Sequence, residues 1–127
     1  MAIRTELSLR LPNSPGALAG VCDLLSNERV NILAIELEAG GLLRMVVDNH
    51  VHAAALLRDR HHQVTERDVI ALGIPNAPGS LASVLRLVAD AGVNIDYAYG
   101  GGPETGSPAT VILGVEDAQR AGAAAGV

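Results

Sequence analysis

The sequence predicts an α+β protein in which a β-α-β-β-α unit is written twice. An internal repeat, a strand pattern before each copy and a helical pattern within each copy support this prediction. Residues 9–32 read LRLPNSPGALAGVCDLLSNERVNI and residues 72–95 read LGIPNAPGSLASVLRLVADAGVNI. The offset of 63 is constant, and twelve of these 24 positions are identical, which indicates a duplication. A unit of about 60 residues buries little surface alone, so we expect the halves to share an interface.

Each copy begins with a strand and continues through a turn into a helix. Apolar residues alternate with polar ones through residues 5–11, which is the pattern of a half-buried strand. A Pro-Asn-x-Pro-Gly turn follows, and proline does not continue a strand but is tolerated at the first position of a helix. The helix is predicted over residues 15–28, where Leu18, Val21, Cys22 and Leu25 recur at helical spacing.

The remaining elements complete each copy. Second strands are predicted from Val30 and Val93, third strands over 42–48 and 109–115, and short helices over 51–60 and 117–125. A fourth strand over 62–66 runs directly into the second copy, whereas only Gly126 and Val127 follow the last helix. The predicted modules are therefore 1–66 and 67–127, the second without its final strand. The order β-α-β-β-α-β is the ferredoxin-like arrangement, with both helices on one face of an antiparallel sheet.

Composition narrows the classes of function. The only aromatic residues are Tyr97 and Tyr99 and the net charge is −5, which argues against nucleic-acid binding. A single cysteine, Cys22, excludes an intramolecular disulfide and has the pattern of a buried small residue. The N-terminal segment lacks the apolar core of a signal peptide, and no apolar run is long enough to span a membrane. A soluble cytoplasmic protein is expected.

The strongest candidate for a binding site is the turn at 12–16 and its copy at 75–79. The first N–H groups of a helix have no intrahelical partners, and the helix dipole adds positive charge there. A carboxylate can therefore bind these amides, and a glycine without Cβ allows close approach. The same motif is also simply a well-made strand-to-helix turn. Asn31 and Asn94, at the starts of the second strands, allow both interpretations as well.

These residues resemble the ACT domain family of regulatory modules in amino-acid metabolism. The resemblance rests on Leu-x-Leu-Pro-Asn-Ser-Pro-Gly-Ala-Leu-Ala (9–19) and Asn-Glu-Arg-Val-Asn-Ile (27–32), with counterparts at 72–82 and 90–95. It implies side-by-side pairing of sheets and amino-acid binding at an interface between modules. The ligand-binding residues it implies are Asn13, Ser14, Pro15, Gly16, Ala17, Leu18, Asn31 and Ile32 in the first copy, and Asn76, Ala77, Pro78, Gly79, Ser80, Leu81, Asn94 and Ile95 in the second.

Weaker signals favour neither catalysis nor a cofactor. His50, His52, His61 and His62 suggest a metal site, but they also fit the two ends of an exposed helix. The Gly-rich segment 100–108 lacks the lysine ending of a phosphate loop and is interpreted as a hairpin loop, with a lid over a neighbouring pocket as the alternative. No catalytic residues, metal ligands or cofactors are assigned.

The sequence thus predicts a non-catalytic regulator that binds a small amino acid at module or subunit interfaces. We expect a homodimer that shifts its own assembly state or that of an amino-acid biosynthetic enzyme by allosteric coupling. The alternative is a ligand-free oligomerisation module, for example a regulatory subunit of an enzyme such as acetolactate synthase. Binding of nucleic acid or membrane is not expected.

Overall fold

The computed structural model describes residues 2–104, 106 and 108–126 and contains strands and helices in the predicted order. No helix in this part of the chain is both long and apolar enough to cross a bilayer. The elements are β1 (Ala2–Arg10), α1 (Ala17–Asn27), β2 (Ile32–Leu37), β3 (Leu42–Val47), α2 (His50–Asp59), β4 (Thr65–Ile74), α3 (Ser80–Asp90), β5 (Ile95–Gly101), β6 (Ala109–Val115) and α4 (Ala118–Ala124).

The chain forms two compact units, and the first spans Thr5–Arg67. Its strands follow the order β2-β3-β1-β4, and β3 pairs antiparallel with both β1 and β2. Both helices pack on one face of these strands, because the apolar side of each helix must be removed from water. The core of this unit consists of Leu7, Leu9, Leu11, Val21, Leu25, Val30, Leu43, Met45, Val47, Ala53, Ala54 and Leu57.

The second unit comprises Met1–Arg4 together with Asp68–Val127. Its strands follow the order β1-β4-β6-β5, and β6 pairs antiparallel with β4 and β5. Its core is also aliphatic and consists of Ile70, Leu72, Ile74, Val88, Val93, Ala109, Val111, Leu113, Val115, Ala118, Ala121 and Ala125. These observations confirm the predicted α+β class and the tandem ferredoxin-like arrangement.

The sequence predicts no final strand for the second half, and in the structure the start of β1 belongs to the second unit. The first residues of β1, up to Arg4, group with the second unit, and Ile3 packs against its core. Conversely, the predicted strand at 62–66 and the first strand of the next copy form one continuous strand, β4, whose first residues Thr65–Arg67 belong to the first unit. The module boundary after residue 66 therefore falls inside a strand. The division into modules at that residue stays a prediction.

Both long helices are followed by a residue in the left-handed conformation. Gly92 has φ 72° after α3, where glycine adopts this conformation at little cost. Arg29 occupies the same left-handed conformation after α1, with φ 58°. The N–H of Val30 then donates to the carbonyl of Leu25 at 2.9 Å, which closes the turn. A left-handed non-glycine residue carries backbone strain, so the exit from α1 is made at an energetic cost.

Gly41 offers a direct test of the hairpin between β2 and β3. Its φ is 93°, and an added Cβ would collide with the carbonyl oxygen of Leu11. We expect Gly41→Ala to lower the free energy of unfolding by about 2 kcal/mol or more, because it combines left-handed strain with a backbone clash. The neighbouring Gly40 has open space at its Cβ position. Gly40→Ala should change stability by less than about 1 kcal/mol in urea denaturation, and an equal loss for both variants would contradict this account.

Candidate functional site

The first strand-to-helix turn is built by local hydrogen bonds and one left-handed residue. After β1, the N–H of Ser14 donates to the carbonyl of Pro12 at 2.9 Å, and the N–H of Ala17 donates to that of Ser14 at 3.3 Å. Gly16 occupies the N-cap position with φ 86°. Helix α1 therefore begins at Ala17, two residues later than predicted, because the left-handed residue cannot itself be helical.

The second turn repeats this backbone closely. The N–H of Ala77 donates to the carbonyl of Pro75 at 3.0 Å, and the N–H of Ser80 donates to that of Ala77 at 3.2 Å. Gly79 is the N-cap of α3 with φ 84°. The left-handed region is open to glycine at little cost and is unfavourable for other residues. The duplicated sequence thus produces the same conformation at both helix entrances.

Both long helices begin without a side-chain cap, whereas both short helices have one. The side chain of Asn49 accepts from the N–H of His52 at 3.2 Å at the start of α2, and Asp117 accepts from that of Arg120 at 3.0 Å at the start of α4. Among the described residues, no side chain caps α1 or α3, and the N-cap residue of each is glycine.

Two backbone donors at the start of α1 remain available. Within the described residues, the N–H groups of Leu18 and Ala19 have no hydrogen-bond acceptor. These donors point outward along the helix axis, where the helix dipole places partial positive charge. The entrance to α1 can therefore bind an anionic group without a cationic side chain.

A cavity of about 280 Å³ adjoins this entrance. One wall is the turn and the first residues of α1, and the other is the β2–β3 hairpin. The sequence alone does not assign the hairpin residues to the site, although the Gly40-Gly41 pair is a signal for a turn at this point of the chain. The lining residues are Leu11, Pro12, Asn13, Ser14, Gly16, Ala17, Leu18, Ala19, Leu37, Glu38, Ala39 and Gly41.

The hairpin contributes charge to this cavity through Glu38. Arg44 donates to Glu38 at 2.6 Å and to Glu36 at 2.7 Å. Since one guanidinium contacts two carboxylates, the three side chains together carry a formal charge of −1. The cavity thus has backbone donors on one side and the Glu38 carboxylate, which is paired with Arg44, on the other.

The structure does not place Asn31 and Ile32 in the same cavity as the turn. They line a separate open cleft of about 420 Å³ with Cys22 and Arg29. The N–H of Asn31 donates to the Asp48 carboxylate at 3.0 Å, and the Asn31 carbonyl accepts from the Asp48 N–H at 3.0 Å. The backbone of Asn31 is therefore paired with the residue that follows β3. Its role in ligand binding stays a prediction.

The second turn differs from the first in how its asparagine is used. The side-chain amide of Asn76 donates to the carbonyl of Pro103, in the loop between β5 and β6. The N–H of Asn94 donates to Glu116 at 3.1 Å, and its side-chain amide donates to Asp96 at 3.1 Å. Pro103 belongs to the segment 100–108, which is interpreted above as a hairpin loop. Residues 105 and 107 of that segment lie outside the described part of the chain.

The histidines do not assemble a metal centre in the described residues. No three His, Cys, Asp or Glu side chains there are grouped so that they could hold an ion. His50 and His52 lie on α2, where the His52 imidazole is 3.5 Å from the Glu28 carboxylate. His61 and His62 follow the helix and line a different cavity.

Comparisons with known proteins agree on one architecture. Residues 1–122 match the family model described as an ACT domain pair. No curated protein sequence matches the chain. Among solved structures, a protein of Bacteroides thetaiotaomicron is 30% identical with a TM-score of 0.86, covering 96% of this chain and 85% of that one.

Two further solved structures share the fold at lower identity. The ligand-free regulatory subunit of aspartate kinase from Thermus thermophilus is 20% identical with a TM-score of 0.68, over 98% of this chain and 90% of that one. A putative C-terminal regulatory domain of aspartate kinase from Porphyromonas gingivalis W83 is 17% identical with a TM-score of 0.68, over 97% and 88%.

Because Asn49 caps α2 and Asn13 caps no helix, their replacement by alanine should lower the free energy of unfolding by different amounts. Asn49→Ala deletes the cap of α2 and should lower the free energy of unfolding by about 1 kcal/mol. Asn13→Ala should change it by less than about 0.5 kcal/mol, because the Asn13 side chain has no hydrogen-bond partner among the described residues. Urea denaturation measures both. A loss for Asn13→Ala as large as that for Asn49→Ala would make Asn13 a structural residue of the turn.

Proposed function

Since the chain belongs to the ACT domain family, we propose that it is a non-catalytic regulatory protein that binds a free amino acid at the entrance to α1. The observation that carries this proposal is the pair of unpartnered N–H groups of Leu18 and Ala19 beside a cavity. Every amino acid has an α-carboxylate, so these donors recognise the class of ligand rather than one side chain. The similarity to regulatory parts of aspartate kinase supports a role in the control of amino-acid metabolism.

The chemistry of the cavity fits both charged groups of an amino acid. The carboxylate binds the amides at the helix entrance, where the dipole favours negative charge. The ammonium group faces the hairpin wall, where Glu38 belongs to the net-negative group with Arg44 and Glu36. Leu11, Leu18 and Leu37 also line this space and provide apolar surface for a side chain. A volume of about 280 Å³ suits a small ligand.

We assign the first turn as the principal site because the two turns are not equivalent. Asn13 lines the open cavity, whereas Asn76 is already bonded to the carbonyl of Pro103. A ligand at the second turn would have to compete with that contact. The residues carried from the family resemblance at the second turn, and Asn31, Ile32, Asn94 and Ile95, are proposed as a secondary set.

A second copy of this chain is the proposed partner at the β2 edge. Strand β2 is the outer strand of its unit, with β3 as its neighbour. Leu33, Ile35 and Leu37 are 40%, 42% and 45% exposed along it. The backbone groups on the outer side of such a strand favour pairing with another strand, and the apolar row on one face of the strand favours burial against a second copy. A homodimer formed there would place two copies of the β2–β3 hairpin, which forms one wall of the cavity, near the interface.

Regulation requires that the amino acid bind one state of the protein more tightly than another. In the proposed dimer, the hairpin connects the ligand cavity to the pairing edge through Leu37, which belongs to both. Ligand binding can therefore change the strength of self-association or of contact with an amino-acid biosynthetic enzyme. A ligand-free oligomerisation module is the second candidate, and the exposed β2 edge is the observation that favours it.

A charge placed at the helix entrance tests the ligand site. Ala19 is exposed and lines the cavity. Ala19→Glu introduces a carboxylate that competes for the free amides, and it should stabilise the helix by about 0.3–1 kcal/mol through the dipole. In a thermal-shift screen of the standard amino acids, the parent protein should gain about 2.7 kcal/mol at a hundredfold excess over Kd. We expect Ala19→Glu to remove that gain.

The matched control is Ala82→Glu, the same change at the equivalent position of α3. It should leave the response of the parent protein largely intact, because the first turn is the principal site. A ligand response unchanged in Ala19→Glu would place the site elsewhere. If no amino acid raises the melting temperature of the parent protein at millimolar concentration, the oligomerisation module becomes the better account.

The dimer is tested by a charge on the exposed strand. Ile35→Lys puts an ammonium group into the apolar row of β2 and should convert the dimer to a monomer in light scattering. Val51→Lys is the control, because Val51 is 69% exposed and belongs to α2 rather than to β2. A parent protein that is monomeric at high concentration would overturn the assignment, as would a dimer that withstands Ile35→Lys.

A further inference from the structure

A second cavity in the first unit has a chemistry unlike that of the amino-acid site. Its volume is about 400 Å³, and it lies between β1, the start of β4 and the segment after α2. The side chains that give it polar character are Ser8, Arg10, His61, His62, Gln63 and Thr65. This set shares no residue with the lining of the amino-acid cavity.

The polar side chains of this cavity favour an anion. Its lining includes one guanidinium and two imidazoles but no carboxylate, in a protein whose net charge is −5. Within the described residues, Arg10 makes one hydrogen bond, from Nη1 to the carbonyl of Gly40 at 3.4 Å, so its other donors are available. The adjacent Glu66 is paired with Arg58 at 3.1 Å. The Glu66 carboxylate is therefore already balanced by Arg58, and Arg10 supplies a positive charge to the cavity.

The strained backbone of His61 suggests that its side chain has a function at the cavity. His61 has φ 68° directly after α2, and its N–H donates to the carbonyl of Arg58 at 3.0 Å. Glycine adopts this conformation at the least cost. After α4, the corresponding left-handed residue is Gly126, with φ 81°. At this exit the first half thus has His61, whose imidazole lines the cavity, and the second half has a glycine, which carries no strain in this conformation.

The left-handed conformation is shared by both helix exits of the first half. Arg29 is also left-handed after α1, where the second half has Gly92. Arg29 lines the cleft beside Cys22 and Asn31 rather than the cavity with Arg10. The backbone strain is therefore of the same kind at both exits. The two residues differ in location, because His61 lines the cavity with Arg10 and Arg29 does not.

We propose that the cavity lined by Arg10 and His61 binds a phosphate group, as inorganic phosphate or as the phosphate of a monoester. A phosphate presents several acceptor oxygens, and this lining offers a guanidinium fork, imidazole N–H groups, two hydroxyls and an amide. A carboxylate has only two oxygens and leaves most of these donors unused. The cavity is larger than the amino-acid site, which leaves room for the organic part of a monoester.

Isothermal titration calorimetry at fixed pH tests this proposal with inorganic phosphate, glycerol 3-phosphate and acetate. We expect saturable binding of at least one phosphate compound and much weaker binding of acetate. Tighter binding of glycerol 3-phosphate assigns the cavity to a monoester, and tighter binding of inorganic phosphate assigns it to the free ion. Arg10→Gln should weaken binding about tenfold or more, because it removes a charged donor.

His61→Gly gives the sharpest variant, since it relieves left-handed strain while removing a donor. Its melting temperature should equal or exceed that of the parent protein, and its phosphate affinity should fall severalfold. Arg29→Gly provides the matched control, with the same relief of strain and unchanged phosphate affinity. The proposal is overturned if neither phosphate compound binds, if acetate binds equally well, or if Arg10→Gln and His61→Gly bind like the parent protein.

Discussion

The left-handed glycine at the start of each long helix is the constraint on which the proposed chemistry depends. Gly16 and Gly79 have φ values of 86° and 84°, a conformation that disfavours any residue with a Cβ. Because glycine has no side chain, the same requirement that selects it leaves the helix without a side-chain cap. The free donors at the entrance to α1 are thus a consequence of how the strand is joined to the helix.

Duplication has preserved this backbone but not its surroundings. The first half closes its hairpin with residues 38–41, beside an open cavity, whereas the second half has the longer segment 102–108. Pro103 of that segment accepts from Asn76, so the equivalent asparagines are used differently. The helix exits diverge in the same direction, with Arg29 and His61 in the first half against glycines in the second. The two halves therefore differ in the side chains that they present at the helix exits and at the strand-to-helix turns.

Much of the fold is predictable from the sequence because its signals are local. The alternation through Leu7 and Leu9 and the helical spacing of Val21 and Leu25 correctly identify buried faces. The exact start of α1 is not predictable from Pro15, since the left-handed state of Gly16 depends on the turn as a whole. The grouping of residues up to Arg4 with the second unit involves contacts distant in sequence, which periodicity does not encode.

The candidate site is predictable only in part for the same reason. The turn residues follow from the repeat, but Glu38 and Gly41 enter the cavity through the pairing of β1 with β3. The contact of Asn76 with Pro103 depends on the course of a loop whose sequence specifies no fixed turn. Similarly, the sequence does not show which histidine pair lines a cavity, and the structure places His61 and His62 at one while His50 and His52 lie on α2.

Titration of the ¹⁵N-labelled protein with an amino acid that raises its melting temperature, followed by amide NMR, tests the central claim most directly. The account predicts that the amide signals of Leu18 and Ala19 shift most as the carboxylate binds, with smaller changes at Leu81 and Ala82. Saturable binding that leaves the Leu18 and Ala19 signals unmoved would contradict it.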